Sequence, residues 1–170
     1  TPAGSRFVTP LSVAGLSGER VFEDLFSLKD EAEMGHIRLS READLLVVAP
    51  ATADLIARMA QGRADDLAAT ALLATDKPVL LAPAMNVRMW HHPATQENLA
   101  RLRARGTRMV GPVEGSMACG EYGIGRLAEP PEIVAAITAA LVPDQPLAGR
   151  NAIVTAGPTR EAIDPIRFIS

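Results

Sequence analysis

The chain has 170 residues, 48% hydrophobic and 22% charged, with a formal net charge of -3. That is the size and composition of about one globular domain with a substantial core. Charges of both signs are interspersed without a clustered basic face, which argues against a nucleic-acid partner. Cys119 is the single cysteine, so no intrachain disulfide is possible and the thiol is either inert or working, with the cytoplasm as the expected compartment. No apolar run approaches the roughly 18 residues of a membrane span, and residues 1–6 lack the apolar region of a signal peptide. A chain opening at Thr1 and closing at Ser170, soon after a strand-like start, reads as a piece of something longer.

In chain order, residues 1–18 set Phe7, Val8, Leu11, Val13 and Leu16 among Pro, Gly and Ser, predicting a loop that leads into a short helix. Residues 21–26 read as a short strand or extended segment and 27–35 as a surface loop. Residues 36–43 fit a short helix with His36 in its first turn. An imidazole there tends to stay neutral, which suits a base or hydrogen-bond partner, although a plain surface histidine is the simpler reading of position alone. A buried strand follows over Leu45 to Ala49, breaking at Pro50-Ala51-Thr52-Ala53-Asp54. Asp54 to Gln61 reads as a helix closed by Gly62. Asp65 to Ala74 reads as a second, capped by Asp65 and carrying a narrow stripe of Leu67, Thr70, Ala71 and Ala74.

Pro78 introduces a second apolar strand, Val79 to Ala82, which breaks at Pro83 and delivers Asn86 three residues on. A helical turn over residues 86–90 precedes a helix from Pro93 to Arg105, with Leu99 and Leu102 inward and Arg101, Arg103 and Arg105 on a solvated face. His91 and His92 are adjacent and so point apart, and neither has an acidic or thiol partner at ligand spacing, so no metal site is predicted. Arg108 to Gly111 forms a third strand. Residues 112–130, with Gly115, Gly120, Gly123 and Gly125, predict a long functional loop with little regular structure. Pro131 to Leu141 closes the domain as a helix with Ile133, Val134 and Ile137 inward. Residues 142–150 are a linker by composition, and 151–157 begin a further strand and turn.

Strand, turn and helix alternate, which predicts an α/β fold with a parallel sheet and helices on both faces. Its carboxyl edge would gather Thr52, Asp54, Met85, Asn86 and the glycine-rich loop with Cys119, a set suited to a flat, partly apolar ligand. Either Pro-Ala turn taken alone is more simply read as structural punctuation. Gly120-Glu121-Tyr122-Gly123-Ile124-Gly125 departs from the dinucleotide fingerprint and does not directly follow a strand, which disfavours a nicotinamide-dependent dehydrogenase.

Four stretches carry a resemblance: His36-Ile37-x-Leu39, Pro50-Ala51-Thr52-Ala53-Asp54, Pro83-Ala84-Met85-Asn86-x-x-Met89-Trp90, and Gly115-x-Met117-Ala118-Cys119-Gly120-Glu121 running on to Gly125-Arg126-Leu127-Ala128-Glu129-Pro130. Over roughly residues 1–141 the chain resembles the flavin-dependent cysteine decarboxylases. Residues 154–170, with Arg160, Asp164 and Arg167, look like the opening of a phosphopantothenate–cysteine ligase domain. That domain is fused to the decarboxylase in the bifunctional branch of coenzyme A biosynthesis, and the single-function and peptide-modifying members lack it.

The resemblance implies a Rossmann-like (flavodoxin-like) decarboxylase domain over 1–141, a linker over 142–150 and a ligase start over 151–170. The family's first strand and Gly-rich phosphate turn are missing before Thr1, which would weaken flavin binding. It implies FMN-dependent conversion of 4'-phosphopantothenoylcysteine to 4'-phosphopantetheine through a thioaldehyde and an enethiol, in a trimer-based homo-oligomer such as a dodecamer. The ligase would need CTP and magnesium. His36, Asn86 and Cys119 would be catalytic: His36 in oxidation and decarboxylation, Asn86 on the substrate carboxylate, and Cys119 as proton donor. Met89 and Ala118 would join Asn86 and Cys119 in holding substrate. Thr1, Phe7, Ala51, Thr52, Ala53, Asp54 and Met85 would line the flavin. The family's motif has Ser and Asn where this chain has Thr52 and Asp54, and the second change trades an amide donor for a charge. The competing expectations are a non-catalytic regulatory flavoprotein-like subunit and a peptidyl-cysteine decarboxylase.

Overall fold

The computed structural model describes residues 1, 3–23, 35–118, 120–142, 161–162 and 168–169. The two apolar runs bounded by Pro form Leu46–Ala51 (β1) and Val79–Pro83 (β2), and with Arg108–Met109 (β3) they make a parallel sheet in the order β1-β2-β3. The central position of β2 explains why Leu80, Leu81 and Ala82 are at most 2% exposed, whereas Val47 on β1 is 38% exposed. Leu46, Val47 and Val48 pair with Val79, Leu80 and Leu81, and the register then shifts before Ala51 pairs with Pro83. Both strands therefore run past the predicted breaks. Proline lacks only a donor, and Pro50 lies within the register shift on a strand paired on one side among the described residues. The Ala84 N–H carries the pairing one residue further by donating to the Ala51 carbonyl at 3.1 Å.

Helices Pro10–Ser17 (α1) and Gly35–Glu42 (α2) precede the sheet, and the second places His36 in its first turn. Ala53–Gln61 (α3) and Leu67–Ala74 (α4) connect β1 to β2, and Val87–His91 (α5) and Pro93–Ala104 (α6) connect β2 to β3. Thr52 caps α3 by accepting from Leu55 N–H, and Gly62 ends it at φ 71°. The cap of α4 is Asp66 rather than Asp65: its carboxylate accepts from Ala69 N–H at 2.7 Å, while Asp65 is drawn to Arg58 and Arg63. The face α4 buries is Leu67, Ala69 and Ala71, a choice its nearly all-apolar sequence left open.

The core lies between sheet and helices, where Ala51 and Leu81 meet Ile56 and Ala60 of α3 and Leu99 and Leu102 of α6. Leu99 and Leu102 point inward as predicted. Arg105 does not join Arg101 and Arg103 in a purely solvated face, because its guanidinium donates to the Ala60 carbonyl at 3.0 Å and ties the end of α6 to α3. In the closing helix, Pro130–Leu141 (α7), Val134 is 60% exposed, so only Ile133 and Ile137 of the predicted inward set are half-buried.

The largest correction concerns residues 112–130. They hold an antiparallel hairpin, Val113–Ser116 (β4) with Tyr122–Arg126 (β5), in place of an irregular loop. Gly115, Gly123 and Gly125 serve close packing, whereas nothing lies within 4 Å of a Cβ built on Gly120. Gly115 faces Arg126, and a Cβ there would come within 2.8 Å of its Nε.

Glu161–Ala162 (β6) pairs antiparallel with Phe168–Ile169 (β7). The predicted surface loop at 27–34, the linker from 143 onward and the strand at 151–157 lie outside the described residues. Among the described residues no helix is long and apolar enough to cross a membrane.

Candidate functional site

The turn after β2 positions Asn86 by local chemistry. Asn86 is the N-cap of α5, and its Oδ1 accepts from Met89 N–H at 2.8 Å. With the amide oxygen committed to the cap, the NH2 is the half left to donate to a ligand. Asn86 and Met89 line an open cavity of about 360 Å³ with Arg88, His92 and Thr95. Behind the turn, Met85 N–H donates to the Gly125 carbonyl at 3.0 Å, so β5 is bonded directly to it.

A larger and mostly apolar cavity, about 810 Å³, runs along β1 to its carboxyl end. It brings together Thr1, Phe7, Thr52 and Asp54, four residues predicted for cofactor binding. Ala51 is fully buried in the core instead, Met85 packs against that core, and neither they nor Ala53 line the cavity. Much of the cavity follows the edge of β1 at residues 45–50, and its end at Thr52 and Asp54, on the carboxyl side of the sheet, is the part suited to a flat heteroaromatic cofactor.

Arg58, one helical turn beyond Asp54, lines the same cavity. Its side chain is 15% exposed and reaches Asp54 at 2.9 Å, Asp65 at 3.1 Å and Asp66 at 2.6 Å. The hydrogen bond to Asp66 is the main reason its pKa rises above the ordinary guanidinium range. The same guanidinium holds Asp65 below the usual carboxylate value. Burial pushes Asp66 up, but the Ala69 N–H and Arg58 outweigh it and the net shift is downward. Carboxylates with lowered folded pKa values stabilise the fold above their unfolded pKa, and that contribution is lost as pH falls below about 4 through the folded values. Arg58→Met is therefore expected to cost about 2 kcal/mol at neutral pH and to flatten the acid limb of the stability profile. Denaturant unfolding from pH 7 to pH 3 tests this, and an unchanged acid limb in the variant refutes it. Sequence reasoning passed over Arg58, although the four-residue spacing from Asp54 was a usable signal.

His36 is the second residue of α2, which packs against α4. Its side chain lies outside the described residues, as do Cys119, Arg160, Asp164 and Arg167. The hairpin loop on both sides of position 119 is described. Met117 N–H donates to the Glu121 carbonyl and Gly120 N–H to the Met117 carbonyl, each at 2.9 Å. Ala118 in that loop is exposed. Among the described residues no group of three or more His, Cys, Asp and Glu side chains is placed to hold a metal.

A parallel sheet wrapped by helices, with an apolar cleft beside β1 and a capping carboxamide at the end of β2, defines a Rossmann-like, flavodoxin-like domain with a cofactor-type cleft. Residues 1–142 match the Flavoprotein family, and the chain belongs to it. Residues 147–170 match the DNA/pantothenate metabolism flavoprotein C-terminal domain. The chain is 49% identical over 170 residues to the Coenzyme A biosynthesis bifunctional protein CoaBC of Haemophilus influenzae, covering 100% of this chain and 42% of that protein. It thus spans less than half the length of the curated relatives it matches. Among solved structures it is similar to a cysteine-to-serine mutant of PPC decarboxylase complexed with pantothenoylaminoethenethiol, with TM-score 0.60 and 39% identity, covering 61% of this chain and 58% of that one. It is also similar to the FMN-dependent cysteine decarboxylase SpaF, with TM-score 0.64 and 31% identity, covering 81% of this chain and 72% of that one.

Proposed function

We propose that this chain is the decarboxylase part of a bifunctional enzyme of coenzyme A biosynthesis, converting 4'-phosphopantothenoylcysteine to 4'-phosphopantetheine with FMN. The observation that carries the reading is Asn86. Its amide oxygen is spent on the α5 cap, which leaves an amide donor at the carboxyl edge of the sheet where a substrate carboxylate can be held. Similarity of all 170 residues to 42% of a CoaBC protein supports the pathway, and similarity to an FMN-dependent cysteine decarboxylase supports the chemistry.

When bound, FMN supplies a two-electron acceptor that takes a hydride equivalent from the substrate's cysteine side chain and later returns it. Thr1, Phe7, Thr52 and Asp54 would hold it in the cleft beside β1, with Ala51, Ala53 and Met85 shaping the two turns. His36 acts as base or hydrogen-bond partner while the side chain is oxidised to a thioaldehyde. Asn86, helped by Met89 and Ala118, holds the carboxylate until CO2 leaves, and the electron pair of the broken C–C bond passes into the thiocarbonyl to give an enethiolate, which takes up a proton on sulfur to become the enethiol. Cys119 donates the proton that completes the saturated thiol. A thiol with an ordinary pKa of about 8.5 is protonated at neutral pH, as that role requires. A PPC decarboxylase carrying a cysteine-to-serine change has been captured with pantothenoylaminoethenethiol, which supports an enethiol awaiting a proton.

The proposed organisation is a decarboxylase domain over 1–141, a linker over 142–150 and a ligase domain from 151. The match of residues 147–170 to the C-terminal domain of pantothenate-metabolism flavoproteins supports it. Arg160, Asp164 and Arg167 belong to the ligase side, which uses CTP and magnesium. The enzyme works in the cytoplasm as a trimer-based homo-oligomer, in which His36, Asn86 and Cys119 converge across subunits. The test is to purify the intact protein, record its flavin spectrum and measure CO2 release from 4'-phosphopantothenoylcysteine. A colourless protein that releases no CO2 after incubation with FMN would overturn the proposal.

A further inference from the structure

The cavity beside Asn86 has a wall made of donors. Asn86 offers its NH2, because Oδ1 is committed to Met89 N–H at 2.8 Å. His92 caps α6 with Nδ1, which accepts from Ala94 N–H at 3.2 Å, so the ring carries a proton on Nε2 and donates there. Thr95 lines the cavity at 8% exposure, and its hydroxyl has no hydrogen-bond partner among the described residues. Arg88 adds a guanidinium on a side chain that is 90% exposed, and the Glu121 carboxylate lies 3.8 Å from its Nε, beyond hydrogen-bond distance. No Asp or Glu is among the residues that line this cavity. A wall of donors with one positive charge suits an anion.

The substrate proposed above carries two anions, and they make opposite demands. The carboxylate loses its charge as CO2 leaves, so a cation beside it would stabilise the ground state more than the transition state and slow the step. A neutral amide such as that of Asn86 holds it without that penalty. The phosphate does not react, so a cation there strengthens binding of substrate and transition state alike. We propose that Arg88, His92 and Thr95 form a subsite for the phosphate end of the substrate, which sets the preference for phosphorylated over unphosphorylated cysteine conjugates. This rests on the substrate and on the role of Asn86 proposed above. Arg88 supplies the charge from the open side of the cavity, and the His92 Nε2–H and the Thr95 hydroxyl donate from its wall. The flexible tail that joins the two anions curls over Met89, which is 45% exposed and lines the same cavity.

The experiment uses the full-length, flavin-loaded enzyme and measures CO2 release from 4'-phosphopantothenoylcysteine and from pantothenoylcysteine, which lacks only the phosphate. The readout is the ratio of the two kcat/KM values, with melting temperature recorded alongside. Arg88→Ala is expected to lower that ratio at least about tenfold, through a higher KM for the phosphorylated substrate with its kcat kept within about threefold. Arg88→Lys keeps the charge and is expected to retain most of the preference. His92→Asn keeps a good N-cap while removing the Nε2 donor, and Thr95→Val keeps the shape while removing the hydroxyl. Each is expected to lower the ratio about threefold. A wild-type ratio in Arg88→Ala, or an equal loss with both substrates, overturns the subsite, and so does a wild-type enzyme that shows no preference for the phosphorylated substrate. If Arg88→Ala does not fold, wild-type ratios in both His92→Asn and Thr95→Val overturn it. Failure at the other level looks different: a wild-type enzyme that releases CO2 from neither substrate overturns the proposed function, and the subsite with it.

Discussion

Asn86→Asp is expected to fold normally and lose CO2 release by about a hundredfold or more. Asp is as good an N-cap as Asn, and its carboxylate accepts the Met89 N–H that Asn86 Oδ1 accepts at 2.8 Å. Stability should change by less than about 0.5 kcal/mol. The other half of the side chain changes from an amide donor to a charged oxygen that, in the proposed role, would face the substrate carboxylate. Like charges about 4 Å apart in a protein cleft repel by about 4 kcal/mol at an effective dielectric near 20, ample for the expected loss. Asn86→Ala separates the two duties in the opposite sense, since it removes the cap at a cost of about 1 kcal/mol and removes the donor without adding charge. Unfolding curves and CO2 assays on both variants test the argument. If Asn86→Asp decarboxylates at the wild-type rate, the amide does not hold the carboxylate.

Cys119→Ser is expected to separate the two halves of the reaction. The serine hydroxyl is nearly isosteric with the thiol but a far weaker acid, so it cannot supply the proton on the same time scale, and general acids of this kind contribute roughly 10²- to 10⁴-fold. CO2 release in a single turnover should stay within about threefold of wild type, while saturated thiol product falls by at least about a hundredfold and the unsaturated product accumulates. Mass spectrometry of quenched reactions distinguishes the two products, which differ by two hydrogens. Full turnover by the variant would remove the thiol from the mechanism.

Asp54 is one of the residues proposed to hold the cofactor. The resemblance raised the problem of a carboxylate where the family motif has an amide, and the structure supplies a partner: the Arg58 guanidinium lies 2.9 Å away. The pair leaves the charge at the mouth of the cleft partly compensated, although the Asp54 side chain itself is 75% exposed. Thr52 needs no such partner, because its hydroxyl is occupied with capping α3.

Much of this protein was decided by neighbours along the chain. Pro and β-prone apolar runs mark β1 and β2, Thr52 and Asn86 cap the helices that follow them, and Gly62 closes α3. In the caps and at Gly62 the interacting atoms lie within four residues of one another, so that chemistry is written locally. The tertiary structure decided what depends on distant partners. Asp66, not Asp65, caps α4: Arg58 of the preceding helix bonds both carboxylates, but Asp66 also accepts from Ala69 N–H while Asp65 is held by Arg63. Val134 is 60% exposed among the described residues, while its neighbour Ile133 is half-buried. Residues 112–130 hold a hairpin whose Gly123 and Gly125 lie against Val87 and the Met85 carbonyl, some forty residues earlier. A glycine's missing side chain has no meaning along the chain until the atom that fills its place is known.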